Sequence, residues 1–178
     1  NIPIKDIISP TVNYLNNSTY QNIGVIATER TISSHIFKNN INKTVYEIAT
    51  PKLVPLIEEN NLDNIESVLN DYLLDYKDKL EILILGCTHF THMANEIQQA
   101  AGKGAQVVDS RNGVARQALK MLRATKESGQ TGLSKDDQTF FVTGKLSSLQ
   151  EKEYRQLCTA LSIPWGGSFF KEIGRAHV

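Results

Sequence analysis

The chain lacks most of the features that would place it in an extreme class. It holds two cysteines, Cys87 and Cys158, among 178 residues. That is too few for a disulfide framework, so a reducing compartment is the default expectation. Neither sign of charge is in excess: 19 basic and 19 acidic residues give a formal net charge of zero. Nothing electrostatic therefore points to nucleic acid or an anionic membrane as partner. Long hydrophobic runs are missing. The longest, residues 53–57 and 82–85, are far too short to cross a bilayer, and no signal-peptide pattern opens the chain. The glycine-rich phosphate loops GxGxxG and GxxxxGK[ST] are absent, which speaks against nucleotide binding. A metal shell is not expected either. His89 and His92 lie near Cys87, but further ligands at suitable spacing are wanting.

What is present is ordinary for a globular protein. The hydrophobic fraction is 40% and the charged fraction 21%, enough for a real core. The length suits one domain, or one and a fraction. Short β-rich apolar runs alternate with amphipathic stretches, which predicts an α/β fold with a mainly parallel sheet flanked by helices. Strands are expected at residues 23–27, 45–49, 80–85, 106–108 and 139–144. Helices are expected at 32–38, at 54–59 as a short turn, from an Asp63 N-cap to about Lys79, from the turn after Cys87 to about Ala101, at 114–126 and at 148–161. A loop rich in Gly, Ser, Lys and Asp at 127–138 is the candidate flexible join.

The two ends are unusual. The chain opens on Asn1 and not on Met, which reads as processing or an internal start. Residues 166–178 follow no element pattern and read as a non-native or disordered tail. The run 173–178 looks like a translated sequencing adapter, which would leave its residues, His177 included, without a selected role.

In open α/β sheets ligands bind at the carboxyl ends of the strands. Three turns of that kind carry useful side chains: Thr28 to Thr31, Cys87 to His89, and Asp109-Ser110. If the strands are parallel neighbours, these turns converge on one edge. Cys87 is the sharpest candidate, lying between a buried strand and a helix, with Gly86 before it and Thr88 and His89 after it. A helix start favours negative charge and an imidazole can take a thiol proton, so the position suits a reactive thiolate. The plainer alternative is a small apolar filler. Cys158 is the contrasting case, expected in the core with Tyr154, Leu157 and Leu161 on one helical face. Thr28 and Thr31 flank a helix start, where they can cap the helix, bind a carboxylate or phosphate, or both. Glu58 and Glu59 are either surface charge or a carboxylate reaching the site, and His92 and His35 read as solvent-facing helix residues.

Five blocks carry a family likeness in order and spacing. They are Gly24-Val25-Ile26-Ala27-Thr28 with Thr31; Pro51-Lys52-Leu53-Val54-Pro55-Leu56-Ile57-Glu58-Glu59; Leu83-Ile84-Leu85-Gly86-Cys87-Thr88-His89-Phe90; Val107-Val108-Asp109-Ser110; and Phe140-Phe141-Val142-Thr143-Gly144. From about Pro3 to about Ile163 the chain resembles the glutamate racemases of the aspartate/glutamate racemase superfamily, and Gly-Cys-Thr-His is the most specific block. Aspartate racemases usually lack the His after Cys-Thr, so glutamate is favoured.

The resemblance implies two similar α/β domains with the active site between them. It implies interconversion of L- and D-glutamate without a cofactor, supplying D-glutamate for peptidoglycan in the bacterial cytoplasm. Two cysteines would face the substrate from opposite sides. Cys87 would be one of them, His89 would assist it and bind substrate, and Thr88, Thr28 and Thr31 would contact the substrate. Glu58 would be the acidic residue near the site. Residues 3–115 would form the domain carrying Cys87. Residues 116–165 would form a connecting helix and the returning segment of the other domain. A homodimer is compatible with the family.

The departures from the family pattern are specific. The opening Asp-Ser-Gly motif and the Cys-Asn-Thr turn with the first catalytic cysteine are both missing. Phe90-Thr91-His92-Met93 replaces the usual Tyr-Pro and apolar pair after the His, which alters the helix start. The expectation is an N-terminally truncated fragment, inactive alone and prone to aggregate through uncovered apolar surface and sheet edge. A racemase for another amino acid and a non-catalytic module of the same fold are the alternatives.

Overall fold

The computed structural model describes residues 6–59, 61, 63–127 and 139–169. The chain divides into two units, Asn1–Met121 and Leu122–Val178. The first is built on four parallel strands: β1 (Asn22–Ala27), β2 (Thr44–Ala49), β3 (Ile82–Leu85) and β4 (Gln106–Val108). Their order across the sheet is β2-β1-β3-β4. Ile26 stands opposite Ile48 on one side and Leu85 on the other. The chain therefore reverses its direction of winding between β1 and β3, and the carboxyl ends of those two strands flank the switch point.

Both sheet faces are covered, which explains why β3 carries four apolar residues without alternation. Ile26, Leu83 and Leu85 pack with residues of α3 (Leu53–Glu58), α4 (Ile65–Leu73) and α5 (Ala94–Ala101). On the opposite face Ile23, Val25, Ile82 and Ile84 pack with α1 (Ile8–Asn17), Phe37 and Ile41. Each fully buried Leu or Ile contributes about 1.5–3 kcal/mol of transfer free energy. Thr50 ties the end of β2 to β1, since its amide and its hydroxyl both donate to the Ala27 carbonyl.

The helix α1 was not expected, although its sequence carries the signal. Ile8, Thr11, Val12 and Leu15 recur at helical spacing. Asp6 closes its start by accepting from the Ile8 and Ser9 amides at 2.9 and 2.6 Å. Those bonds, the Ser9 amide first, hold the Asp6 carboxyl below the usual aspartate range.

Other boundaries moved for local reasons. Asp63 does not cap α4: the residue before the helix is Asn64, and it makes no side-chain cap. The expected long helix to Lys79 ends at Leu73 and tightens into a 3-10 turn at Leu74–Tyr76. The helix expected at 32–38 is α2 (Glu29–Ser33), followed by turns. His35 is therefore exposed but not helical. It has a positive φ of 51°, and its Nδ1 lies 2.6 Å from Glu47 Oε2. His92 is exposed, as expected.

The second unit holds two parallel strands, β5 (Phe140–Thr143) and β6 (Trp165–Phe169), joined through α7 (Ser148–Leu161). The helix α6 (Arg111–Glu127) runs through the division between the units. α7 lies where the sequence places it, because Ser147 and Gln150 form a reciprocal capping box at its start. Phe140, Tyr154 and Trp165 gather with ring centroids 6.0 Å apart. Cys158 is buried, at 4% exposure, in agreement with a core role. Its expected companions Leu157 and Leu161 are exposed, so the helical face assigned to them does not hold. Nor are residues 166–169 without an element: they lie in β6, paired with β5 as a parallel strand needs a partner. Residues 170–178 and the expected join at 128–138 lie outside the described residues.

Candidate active site

The site begins with a glycine. Gly86 follows β3 and donates its amide to the Ile26 carbonyl at 2.8 Å. A Cβ there would stand 2.9 Å from the Ala27 Cβ and 3.0 Å from the Ile26 oxygen. Only glycine lets the chain leave β3 this close to β1. The next residue, Cys87, is thereby held at the switch point, two residues beyond Leu85 just as Thr28 is two beyond the paired Ile26.

The chain after Cys87 is a 3-10 turn, Thr88–Met93, and α5 starts only at Ala94. This corrects the expectation of one continuous helix from the Cys87 turn. Phe90 and Met93, at 0% and 3% exposure, pin the turn into the core. It leaves His89 facing back across Cys87. His89 Nδ1 lies 3.6 Å from Cys87 Sγ, and His89 Nε2 lies 3.1 Å from Glu58 Oε1. Glu58 arrives from the last residue of α3. Thiol, imidazole and carboxylate thus form one chain of contacts assembled from two separate segments. The imidazole and carboxylate are 40% and 61% exposed, so their contact contributes little to stability and acts mainly on ring orientation. Among the described residues no three His, Cys, Asp or Glu side chains are grouped to hold a metal ion.

Beside this relay lies a cavity of about 160 Å³. That is below the roughly 300–1,000 Å³ usual for drug-sized ligands, so it suits a small metabolite or one end of it. Thr31, Cys87, Thr88 and Ser110 line it, so the three strand-end turns do converge. Its apolar part comes from residues including Ile8, Phe37 and Ile84. Cys87 belongs both to this cavity and to the relay. Thr28, His89 and Glu58 are not part of the cavity wall. Thr28 caps α2, accepting from the Thr31 amide at 3.4 Å, and its hydroxyl lies 3.1 Å from that of Thr31. Ser110 is placed by Asp109, which accepts from the Arg111 amide and side chain. The Arg111 side chain, above all, holds the Asp109 carboxyl below its ordinary range. A larger open hollow, about 560 Å³, runs along α7 past Glu151 and Arg155, which pair with one another, and among the described residues no cysteine or histidine lines it.

The sequence reading missed the wall supplied by Ile7 and by Ile8 and Thr11 of α1. The periodicity of that helix was the available signal.

Comparison with known proteins fits this arrangement. A sequence profile described as Asp/Glu/Hydantoin racemase matches residues 1–118. The glutamate racemase of Aquifex aeolicus is 36% identical over 137 residues, covering 74% of this chain and 53% of that protein. The chain thus spans about half the length of that relative. The solved structure of glutamate racemase from Aquifex pyrophilus superposes with a TM-score of 0.65 at 28% identity, over 97% of this chain and 65% of that one. A glutamate racemase from Francisella tularensis, solved in complex with D-glutamate, superposes at 0.73 and 23% identity over 97% of this chain and 65% of that one, a likeness of fold. The helix-flanked parallel sheet, the Gly-Cys-Thr-His turn and the profile match together make this chain a member of the Asp/Glu/hydantoin racemase family.

Proposed function

We propose that Cys87 is one of two thiol bases in a cofactor-independent racemisation of glutamate. The observation that carries this is the contact chain from Cys87 through His89 to Glu58 at the edge of the cavity. Its support is the similarity to proteins named glutamate racemase, one of them solved with D-glutamate.

The contacts give each group a task. When the Glu58 carboxylate accepts from Nε2–H of His89, the neutral ring keeps its lone pair on Nδ1, towards Cys87. The thiol proton passes to Nδ1 and leaves a thiolate with an imidazolium beside it. The thiolate then takes the α-proton of glutamate from one face. The hydroxyls of Thr88 and Thr31 donate to the substrate, and Thr28 fixes the position of Thr31. A carbon acid this weak needs the developing negative charge met by preorganised donors in a water-poor site. A proton must then arrive on the opposite face, because a single base returning its own proton restores the starting enantiomer. Cys158 is buried in the second unit and is not assigned that role. The second thiol is that of the family's Cys-Asn-Thr turn, which this sequence does not contain.

On this reading the unit holding Cys87 is one of the two α/β domains of a racemase. The segment β5–α7–β6 is the returning piece of the other. The product, D-glutamate, would serve peptidoglycan synthesis in a bacterial cytoplasm.

The test is α-proton exchange in D₂O, followed by NMR from each enantiomer in the intact protein. Cys87→Ala should lower exchange from one enantiomer by roughly 10²–10⁴-fold. Unchanged exchange from both enantiomers would rule Cys87 out as a base.

A further inference from the structure

Thr11 is a buried polar residue whose hydroxyl the fold leaves without a partner. It lies in α1, is 7% exposed and lines the cavity beside Cys87. Thr50, the other buried polar residue of the core, gives its hydroxyl to the Ala27 carbonyl at 3.1 Å. A helical threonine commonly turns its hydroxyl onto the carbonyl one turn earlier, as Thr159 does onto Arg155 in α7. Thr11 does not: among the described residues its side chain makes no hydrogen bond. Nor is the hydroxyl sealed within protein, because the sealed and unpartnered side-chain atom among the described residues is Trp165 Nε1. The open space that Thr11 borders is the cavity.

The rest of the cavity narrows what can satisfy it. Among the described residues no charged side chain lines the space, and Ile8, Phe37 and Ile84 supply an apolar wall. Two amides at the start of α1 are already engaged. The Ile8 and Ser9 amides are taken by Asp6, and Pro10 has no N–H. A free hydroxyl next to apolar carbon is suited to one carboxylate oxygen on a short aliphatic stem. An unpaired polar group in such a place is unfavourable until a ligand pairs with it, and it also discriminates against ligands that cannot.

We propose that Thr11 is a substrate-contacting residue, whose hydroxyl donates to a carboxylate oxygen of the glutamate held beside Cys87. The proposal rests on the reading of Cys87 as the base for that substrate.

The experiment is protection of Cys87 from iodoacetamide in the full chain, followed by mass spectrometry against rising L- or D-glutamate, with melting temperatures in parallel. Glutamate should protect the unsubstituted chain. Thr11→Val, which keeps the shape and removes the hydroxyl, should move the protection midpoint about tenfold higher and melt no lower. Thr11→Ser, which keeps the hydroxyl, should stay within about threefold of the parent. A Thr11→Val midpoint equal to the parent's overturns the proposal and leaves the reading of Cys87 standing. So does a Thr11→Ser protein as impaired as Thr11→Val, which would place the effect in packing. A lower melting temperature for Thr11→Val would give the hydroxyl a structural role and overturn it too. Absence of protection in the parent overturns the proposal, while the reading of Cys87 is decided separately by α-proton exchange in Cys87→Ala.

Discussion

The two cysteines sit in units built very differently. Cys87 follows, two residues on, a strand whose four residues are all buried, in a four-stranded sheet covered on both faces. Cys158 lies in a unit whose two strands alternate partly buried and exposed residues along most of their length. There Phe141, Leu149, Leu157, Leu161 and Phe169 are all between 46% and 65% exposed. The difference teaches that burial of a thiol and rigidity of its surroundings are separate matters. The well-packed unit holds its cysteine partly open at a strand end. The less covered unit buries its cysteine, which α7 itself carries. A reactive group needs a rigid frame and an open position together, which a sheet edge supplies and a helix interior does not.

Thiol labelling sharpens this contrast most. Under native conditions iodoacetamide should modify Cys87, whereas Cys158 should react only when denaturant is added. Native labelling of Cys158 at the Cys87 rate would break the comparison. Core truncation comes next. Leu83→Ala, at a position with 0% exposure, should cost about 2–5 kcal/mol by denaturant titration. Leu161→Ala, at 58% exposure, should stay within about 0.5 kcal/mol. Equal costs would show that the second unit is as well packed as the first. A smaller effect is expected at the helix starts. Ser147→Ala removes one half of the capping box of α7 and should cost about 1 kcal/mol, read from the same titration.

The smallest expected effect is acid loosening of the first unit. The Asp6 and Asp109 carboxyls are both held below their ordinary value of 3.8 by hydrogen bonds in the folded chain. A depressed folded pKa means that their contribution is fully present above the unfolded value. It is lost as pH falls below about 3.8, through the lowered folded values. Amide exchange at the starts of α1 and α6 should therefore quicken below that pH. Asp109→Asn should remove the step at α6 and leave the one at α1.

How much of this could be read in advance differs by element. β3 and α7 were legible because each carries a strong local signal: an unbroken apolar run bounded by Gly86, and a Ser147–Gln150 capping box. The turn after Cys87 was misread as helix because its form depends on Phe90 and Met93 finding buried positions, which is a matter of tertiary packing. β6 was missed because Gly166 and Gly167 weaken its local strand signal, and its pairing with β5 supplies the missing preference. Cys87 and His89 were legible as neighbours in one motif. Glu58 could be read from its place in the chain only as surface charge or a site carboxylate, and the family likeness chose between them, since its partner lies 31 residues away.

The sequence by itself determined the alternation of strands and helices, the glycine that lets Cys87 approach β1, and the residue types needed for proton transfer. These follow from local chain geometry and side-chain chemistry. Tertiary packing alone brings Glu58 to the far side of His89, gathers three separate turns at one cavity, and sets Thr11 in its wall. Those contacts join positions that have no local interaction along the chain. They exist because parallel strands bring their carboxyl ends, and the helix that covers them, to one edge.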